Sequence, residues 1–327
     1  MRFRRSAAAL VAVAALAAVL AGCGAGAQAR PGETFTLRIG VIGSGNRLTG
    51  PVGYLHDEDA LVPLLGGVGA VGAVEVFSFP NGPDLNQALV AGELDLATYG
   101  DTPALVARGA GQPTRLIAQA AVGLDAAIVA KKDGPGSLRE LAGRRIATQT
   151  GSYMHRYLLG ALADAAVEPE EVVHIYAADV EAALERGDVD AAAVPAANVE
   201  ALREKGYPVI DSLAADHPLY RGTSATVVTE DFLAARPGFV AVWQAAQVEA
   251  TRRAKADWDG YLAFAVEVGG FPGGIVRKTT LQEQLPDTPF TGEGLALLEG
   301  TKAFLVEQGF VRKDFAIGEW IAPGARG

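Results

Sequence analysis

Cysteine is almost absent from this chain of 327 residues, in which Cys23 is the only thiol. The chain therefore cannot form an internal disulfide. Histidine is scarce as well: there are four, and His56, His174 and His217 are scattered without the spacing of metal ligands. We expect neither a metal site nor another cofactor.

Basic residues are outnumbered, with 28 lysines and arginines against 38 acidic residues and a formal charge of −10. Residues 1–22 hold three arginines and no acid, so their removal moves the charge from −10 to −13. Nucleic-acid binding depends on clustered lysine and arginine side chains, and no such cluster is visible. We therefore exclude nucleic acid as a partner.

Familiar catalytic patterns are also missing. The sequence contains no G-x-S-x-G elbow, no H-E-x-x-H helix and no cysteine beyond residue 23. Residues 43–46 (GSGN) lack the third glycine of a dinucleotide-binding loop. These absences favour binding over catalysis, and an enzyme remains the alternative.

The first 23 residues have the parts of an export signal. Arginines at positions 2, 4 and 5 precede an apolar run at residues 7–20, which is too short to span a bilayer. Small residues before Cys23 resemble a bacterial lipobox, which implies a lipid on that cysteine and a tether over residues 23–33. An ordinary secretory signal is the alternative, and both the general secretory and the twin-arginine route stay open.

Short β-rich runs alternate with helical patterns after the tether. This alternation predicts parallel βαβ units and an α/β fold with helices on both sheet faces. Beyond residue 232 the pattern predicts a helical C-terminal third. The predicted strands are residues 35–42, 74–79, 94–99, 145–148, 172–177 and 189–194, and the predicted helices are residues 60–65, 84–91, 155–165, 180–185, 237–256, 257–268 and 292–308.

Two stretches of the sequence are echoed later in the chain. Residues 85–97 (LNQALVAGELDLA) match residues 180–192 (VEAALERGDVDAA) in a pattern of helix, glycine turn and strand. Residues 38–46 (RIGVIGSGN) match residues 145–153 (RIATQTGSY) more loosely. The echoes predict two lobes built from the same unit, and chance similarity in an alanine- and glycine-rich chain is the alternative.

Three loops after predicted strands are candidates for ligand binding, because ligands of open α/β sheets bind beyond the carboxyl ends of the strands. Each loop combines small residues and hydroxyl groups with the free N–H groups of a helix start. That combination favours an anion such as a sulfonate, carboxylate or phosphate. The candidate residues are Gly43, Ser44, Gly45, Asn46, Tyr99, Gly100, Asp101, Thr102, Thr150, Gly151, Ser152 and Tyr153.

Asp101 has two interpretations. With Pro103 close behind, it fits the N-cap of a helix. If its carboxylate lines the cleft instead, it would repel a bare anion and favour a solute with an amine or hydroxyl group.

Four segments resemble the substrate-binding proteins of sulfonate, taurine and nitrate ABC importers, most closely those for aliphatic sulfonates: residues 81–111, 137–167, 183–194 and 309–321. The resemblance implies a bilobal type II periplasmic-binding-protein fold, with two α/β lobes joined by a two-crossing hinge. Lobe I would comprise residues 34–129 and 223–327, and lobe II residues 130–222. The crossings would lie near residues 127–131 and 222–228.

The resemblance also implies a function. The protein would be a monomer that binds a small sulfonate-like anion outside the cell membrane, to which a lipid anchors it, and delivers the anion to an ABC permease. The family's ligand shell maps onto the three loops and onto the segment after Asp190, which adds Pro195 and Asn198 to the candidate residues. A pyrimidine precursor, nitrate or a larger amine-bearing compound is the alternative solute.

The sequence departs from the family pattern in two places. Residues 192–198 (AAVPAAN) stand where sulfonate binders carry aromatic residues. This difference predicts a larger cleft or a different solute. The loop at residues 43–56 is also longer and richer in glycine than the family leads us to expect.

Overall fold

The computed structural model of the protein describes residues 34–325. The predicted signal peptide, the lipid site at Cys23 and the tether lie outside the described residues. Within residues 34–325, no helix is long and apolar enough to cross a membrane.

The described strands form two sheets. The first has the order β2-β1-β3-β11-β4, with β5 paired to β11, and the second has the order β10-β6-β9-β7-β8. The strands are β1 (Phe35–Ile42), β2 (Val71–Phe79), β3 (Leu96–Gly100), β4 (Thr114–Ala118), β5 (Val122–Leu124), β6 (Ala126–Ala130), β7 (Arg145–Thr148), β8 (Glu171–His174), β9 (Ala191–Pro195), β10 (Val209–Ser212) and β11 (Gly222–Thr229).

Each sheet combines a parallel part with antiparallel strands. In the first, β1 is parallel to β2 and β3, whereas β11 is antiparallel to β3 and β4. In the second, β7 is parallel to β8 and β9, whereas β6 is antiparallel to β9 and β10. We call the unit around the first sheet lobe I and the unit around the second lobe II.

Helices follow most of the strands. They are α1 (Gly50–Asp57), α2 (Leu61–Gly69), α3 (Gly82–Val90), α4 (Asp101–Gly109), α5 (Tyr153–Asp164), α6 (Val180–Arg186), α7 (Ala196–Glu204), α8 (Leu213–Asp216), α9 (Glu230–Ala235), α10 (Phe239–Ala256), α11 (Trp258–Gly269), α12 (Gly273–Thr279), α13 (Gly292–Glu307) and α14 (Ile317–Trp320).

The C-terminal helices complete lobe I. Because side chains alternate along a strand, neighbours such as Leu96 and Ala97 in β3 enter different apolar cores on opposite faces of the sheet. Trp243 of α10 is buried in the core that holds Leu96, and Leu298 of α13 in the core that holds Ala97. The C-terminal third therefore stabilises both faces of the first sheet.

The internal echo in the sequence is a repeated set of contacts in the structure. In lobe I, the Arg38 N–H donates to Asp95 Oδ2 at 2.9 Å and the Asp95 N–H returns a bond to the Arg38 carbonyl oxygen at 3.0 Å. In lobe II, the Arg145 N–H donates to Asp190 Oδ2 at 3.3 Å and the Asp190 N–H to the Arg145 carbonyl oxygen at 2.8 Å. An equivalent arginine–aspartate pair thus links neighbouring parallel strands in each lobe, β1 and β3 in lobe I and β7 and β9 in lobe II.

The structure places the passages between the sheets at defined points. The chain leaves the first sheet after Leu124 and enters the second at Ala126, then returns to the first at Gly222. Residues 127–130 of the expected crossing, and the expected boundary after residue 129, fall inside β6, which pairs with β9 over its whole length.

Several helices were not predicted, among them α1, α7 and α12. The loop expected over residues 43–56 ends early, because α1 begins at Gly50. Its two glycines and its proline have low helix propensity, so the sequence does not predict a helix here. Val52 and Leu55 are nevertheless buried in the core of lobe I. Tertiary packing therefore stabilises a helix that its own residues disfavour.

A matched pair of leucine substitutions tests the role of the C-terminal helices. Leu298→Ala should lower the free energy of unfolding by about 2–5 kcal/mol, because it leaves a cavity at a fully buried position. Leu219→Ala, at a side chain that is 78% exposed, should change it by less than about 0.5 kcal/mol. Urea denaturation measures both, and equal effects would contradict a shared core of α13 and the first sheet.

Candidate functional site

A cavity of about 440 Å³ lies where the two lobes meet. Lobe I contributes the carboxyl ends of β1 and β3, and lobe II contributes the loop and helix start after β7. A third part of the wall comes from the segment between α12 and α13. This cavity is the place where the topology predicts a ligand, beyond the carboxyl ends of parallel strands.

Four helices begin at the cavity. Gly50 at the start of α1, Gly82 at the start of α3 and Gly100 before α4 line it from lobe I, and Ser152 before α5 lines it from lobe II. Each helix start carries N–H groups without an intrahelical acceptor and a partial positive charge of roughly +0.5. Asp84 and Asp101 reduce the positive charge at the starts of α3 and α4, whereas α1 and α5 have no acidic residue in the first turn and contribute most to the attraction for a negative charge.

The start of α5 is shaped by Ser152. Its Oγ accepts a hydrogen bond from the His155 N–H at 3.3 Å and donates one to the Gln149 carbonyl oxygen at 2.6 Å. The helix gives the N–H groups of its first residues, Tyr153 and Met154, no acceptor. Both residues line the cavity. The cap therefore fixes a helix start whose free donors lie beside the cavity.

The start of α1 is capped differently. Thr49 precedes the helix in an extended conformation and makes no side-chain cap bond. Pro51, in the first turn, has no N–H to satisfy. Thr49, Gly50 and Pro51 all line the cavity, so this helix start also faces it.

Polar groups of the strands complete the wall, but several are already engaged. The Tyr99 hydroxyl donates to Asn86 Oδ1 at 2.8 Å, and the Tyr153 hydroxyl donates to the Asp125 carbonyl oxygen at 3.0 Å. Burial raises the pKa of both phenols above the usual value, so they remain protonated donors at neutral pH. Ser224 Oγ accepts the N–H groups of residues 120 and 121.

The rest of the described wall carries no charged side chain, although Gln149, Thr279, Thr280 and Gln284 add polar groups to it. Among the described residues that line the cavity there is no lysine, arginine, histidine, aspartate or glutamate. Apolar and aromatic side chains come from both lobes and from the C-terminal segment: Val41, Ile42, Pro51, Pro103, Leu124, Tyr153, Met154, Tyr261, Leu281 and Leu285.

Asp101 lies behind this wall and not in it. Its carboxylate is fully buried and accepts hydrogen bonds from the N–H and hydroxyl of Thr102 and from the N–H of Thr223, at 2.6, 3.0 and 2.9 Å. The hydroxyls of Thr223 and Thr301 each lie 3.3 Å from Oδ2. Asp101 therefore joins the start of α4 to β11 and α13, and it is not the N-cap, which is Gly100.

The charge of Asp101 is opposed and partly balanced within the protein. Burial raises the pKa of its carboxyl group, while the positive charge of Arg156 and the hydrogen bonds from Thr223 and Thr102 act to lower that pKa. Arg156 belongs to α5 of lobe II and is also buried. The two charges therefore attract each other between the lobes, next to the cavity.

The structure gathers six of the fourteen sequence-predicted site residues at the cavity. They come from the second and third candidate loops: Tyr99, Gly100, Thr150, Gly151, Ser152 and Tyr153. Thr102, like Asp101, is buried behind the wall.

The first candidate loop lies away from the cavity. Gly43, Ser44, Gly45 and Asn46 are all exposed. Asn46 and Ser78 exchange two hydrogen bonds of 2.9 Å, which tie the loop to the end of β2. The loop itself therefore does not line the cavity, and the next lining residues are Thr49, Gly50 and Pro51 at the start of α1.

The segment after Asp190 also lies outside the cavity wall. Asn198 Nδ2 donates to the Ala177 carbonyl oxygen at 3.4 Å, and Pro195 precedes α7 without touching the cavity. Ala192 and Ala193 are buried in the cores of lobe II. Ala192 and Ala193 therefore add no space to the cavity, because their side chains face the core.

Sequence reasoning missed two parts of the site. Thr49, Gly50 and Pro51 do carry a local signal, since a threonine shortly before a proline is typical of a helix start. Tyr261, Leu281 and Leu285 carry none, because only the long-range packing of the C-terminal third brings them to the cavity. Among residues 34–325, no group of three or more potential metal ligands comes together.

Known proteins match both the sequence and the fold. Residues 73–258, more than half of the chain, match the NMT1/THI5-like family. The chain is 29% identical over 247 residues to the taurine-binding periplasmic protein of Escherichia coli strain K12, which covers 71% of this chain and 77% of that protein.

Two solved structures share the architecture. The alkanesulfonate-binding protein SsuA from Xanthomonas axonopodis pv. citri, bound to MOPS, has a TM-score of 0.71 at 23% identity, covering 89% of this chain and 99% of that chain. The desulfurization enzyme DSZB has a TM-score of 0.69 at 20% identity, covering 88% of this chain and 96% of that chain. These likenesses confirm the predicted bilobal α/β fold.

Removal of the buried charge tests the structural role of Asp101. Asp101→Asn should lower the free energy of unfolding at pH 7 by about 1–3 kcal/mol, because an amide NH₂ then faces groups that donate hydrogen bonds. Asp133→Asn, at an exposed position, is the matched control and should change stability by less than about 0.5 kcal/mol. Urea denaturation gives both values. An Asp101→Asn protein as stable as the control would show that the network contributes nothing.

Proposed function

The chain belongs to the NMT1/THI5-like family, and we propose that it is an extracytoplasmic solute-binding protein that captures a small sulfonate-like anion for an ABC importer. The observation that carries the proposal is the cavity between the lobes, onto which four helix N-termini open. The relative from E. coli is named for binding taurine and the solved relative for binding alkanesulfonates, which supports a sulfonate group as the anion.

The cavity suits an anion that it holds by hydrogen bonds. A sulfonate spreads one negative charge over three acceptor oxygens, so it can accept from several helix starts at once. The donors in this cavity are main-chain N–H groups and hydroxyls, with no basic side chain among the described lining residues. Hydrogen bonds to a charged group contribute roughly 1.5–3 kcal/mol each, so a few are enough for tight binding.

Binding would be coupled to closure of the lobes. Gly50 and Gly100 line the cavity from lobe I and Ser152 from lobe II, so a solute can contact all three only when the lobes are together. Lys278 of α12 also lies 3.4 Å from Glu200 Oε2 and 3.3 Å from Glu204 Oε1 of α7, across the two lobes. A solute that contacts both lobes shifts the equilibrium toward the closed form, which the permease would recognise.

Anchoring at the membrane follows from the N-terminal sequence. We propose that Cys23 carries a lipid after removal of residues 1–22, and that residues 24–33 link it to the folded part. This arrangement would hold a monomeric binding protein close to its permease on the outer side of the membrane.

We propose that the protein binds its solute without catalysing a reaction. The desulfurization enzyme DSZB shares the fold, so the fold alone does not decide between the two. In the described part of the chain, no hydroxyl that lines the cavity donates to a histidine or a carboxylate, as an activated nucleophile would. The Ser152 hydroxyl donates to a main-chain carbonyl oxygen. Turnover of a sulfonate or sulfinate by the purified protein would overturn this part.

A charge placed at the start of α5 tests the anion site. The test uses the chain from Gly24 onward, which keeps all described residues. Ser152→Asp should weaken the binding of propane-1-sulfonate by at least about tenfold, because a carboxylate then lies beside the anion. Ser152→Asn should bind much more tightly than Ser152→Asp. Isothermal titration calorimetry measures both affinities.

The asparagine variant is the control for folding. Aspartate and asparagine are equally good N-caps, so both variants should keep α5 capped and melt at similar temperatures. If both variants bind the sulfonate equally well, the start of α5 does not hold the anion and the proposed site is wrong.

Cell fractionation tests the lipid anchor. In the native host, the wild-type protein should lie in the membrane fraction, and Cys23→Ser should release it into the soluble extracytoplasmic fraction because no other thiol can take the lipid. Cys23→Ser protein that stays with the membrane would contradict anchoring through this residue.

A further inference from the structure

Resting on the proposed function, we infer that the solute is an organic monoanion with an apolar body of ring size and no cationic group. The cavity would then select against amine-bearing sulfonates, including taurine, for which a relative is named. Three features of the cavity lead to this: its lack of carboxylates, the apolar side chains in its C-terminal wall and its volume.

An ammonium group in this cavity would find no negative partner. The described lining contains no aspartate or glutamate. Asp101 is fully buried behind Gly100, with its oxygens occupied by the threonines around it. Asp125, at the hinge, accepts the N–H groups of Ala126 and Ala214. Burying a cation without a counter-charge is costly, and the positive starts of α1 and α5, which have no acidic residue in the first turn, add repulsion.

The C-terminal segment supplies three apolar or aromatic side chains for the body of the solute, beside the polar Thr279, Thr280 and Gln284. Tyr261 and Leu285 are buried next to the cavity, while Leu281 lines it with 37% of its surface exposed. Met154 and Leu124 add apolar surface from lobe II and the hinge. A partly exposed leucine at the cavity gains from contact with an apolar ligand and not with a hydrated one.

The volume indicates more than a two-carbon body. The cavity of about 440 Å³ lies within the range of roughly 300–1,000 Å³ that is typical of pockets for organic ligands larger than two carbons and a sulfonate. A substituted ring is of the size that such a pocket covers.

Two matched pairs of sulfonates test the inference by calorimetry on the chain from Gly24 onward. Propane-1-sulfonate and taurine differ by a methyl and an ammonium group, as do 4-ethylbenzenesulfonate and 4-(aminomethyl)benzenesulfonate. In each pair we expect the ammonium compound to bind at least roughly 30-fold more weakly, because its positive charge loses hydration without gaining a counter-charge. The ethylbenzene compound should bind roughly tenfold or more tightly than propane-1-sulfonate, because it buries more apolar surface.

A carboxylate introduced into the apolar wall should reverse the selectivity. Leu281→Glu should strengthen the binding of 4-(aminomethyl)benzenesulfonate relative to 4-ethylbenzenesulfonate by roughly tenfold, and Leu281→Gln, of the same shape, should not. The partial exposure of Leu281 makes both substitutions compatible with folding.

The possible outcomes separate the inference from the proposed function. If taurine binds as tightly as propane-1-sulfonate, or if only the two small sulfonates bind, the inference on the body is wrong while sulfonate binding stands. If none of the four sulfonates binds to protein that melts cooperatively, the proposed function itself is wrong, and the inference that rests on it falls with it.

Discussion

The buried carboxylate of Asp101 is the interaction on which the site depends. It joins the start of α4 to the returning strand β11 and to the C-terminal helix α13, three elements that are distant in the sequence. It thereby fixes Gly100, the residue before it, in the cavity wall. The positive charge of Arg156 in lobe II acts to lower the pKa of this carboxyl group, against the larger effect of burial, so the two groups attract each other across the lobes. In the sequence Asp101 looks like a simple helix cap, but in the structure it connects the cavity wall to β11 and α13.

The cavity combines two properties that seldom coexist in one small space. Among the described residues its walls are largely apolar and carry no charged side chain, yet helix starts, chiefly those of α1 and α5, give it a positive potential. In a low-dielectric environment a fixed dipole acts more strongly than it does in water, so the apolar walls strengthen the attraction of the helix starts for an anion. An anion can therefore be held without any basic side chain, and an apolar body can be covered in the same cavity.

The sequence predicts much of the scaffold and only part of the site. The strands at Phe35–Ile42 and Arg145–Thr148 have the predicted bounds, and the echo between the lobes corresponds to a repeated arginine and aspartate contact. The loops at residues 99–100 and 150–153 reach the cavity because each leads directly from a strand into a helix. These features depend on residues close together in the sequence, so local sequence patterns predict them.

The parts that sequence reasoning missed depend on distance along the chain. Residues 43–46 resemble the loop of lobe II, but α1 begins only at Gly50, so it is that residue which faces the cavity. Ala192 and Ala193 alternate between the two faces of a covered strand, and composition alone cannot tell a core from a cleft. Leu281 and Leu285 reach the site through the packing of the whole C-terminal third, which leaves no local pattern.

In the cavity wall, main-chain groups attract the anion and side chains contact the rest of the solute. This separation has an evolutionary consequence. Attraction for an anion comes from main-chain geometry, which a single substitution rarely removes, whereas the fit to the rest of the solute comes from a few side chains such as Leu281. Descendants of such a gene can therefore drift from one solute to another by point mutation while they keep the preference for a negative charge. Duplicated copies in one genome would diverge first at the C-terminal wall, and the helix starts would change last.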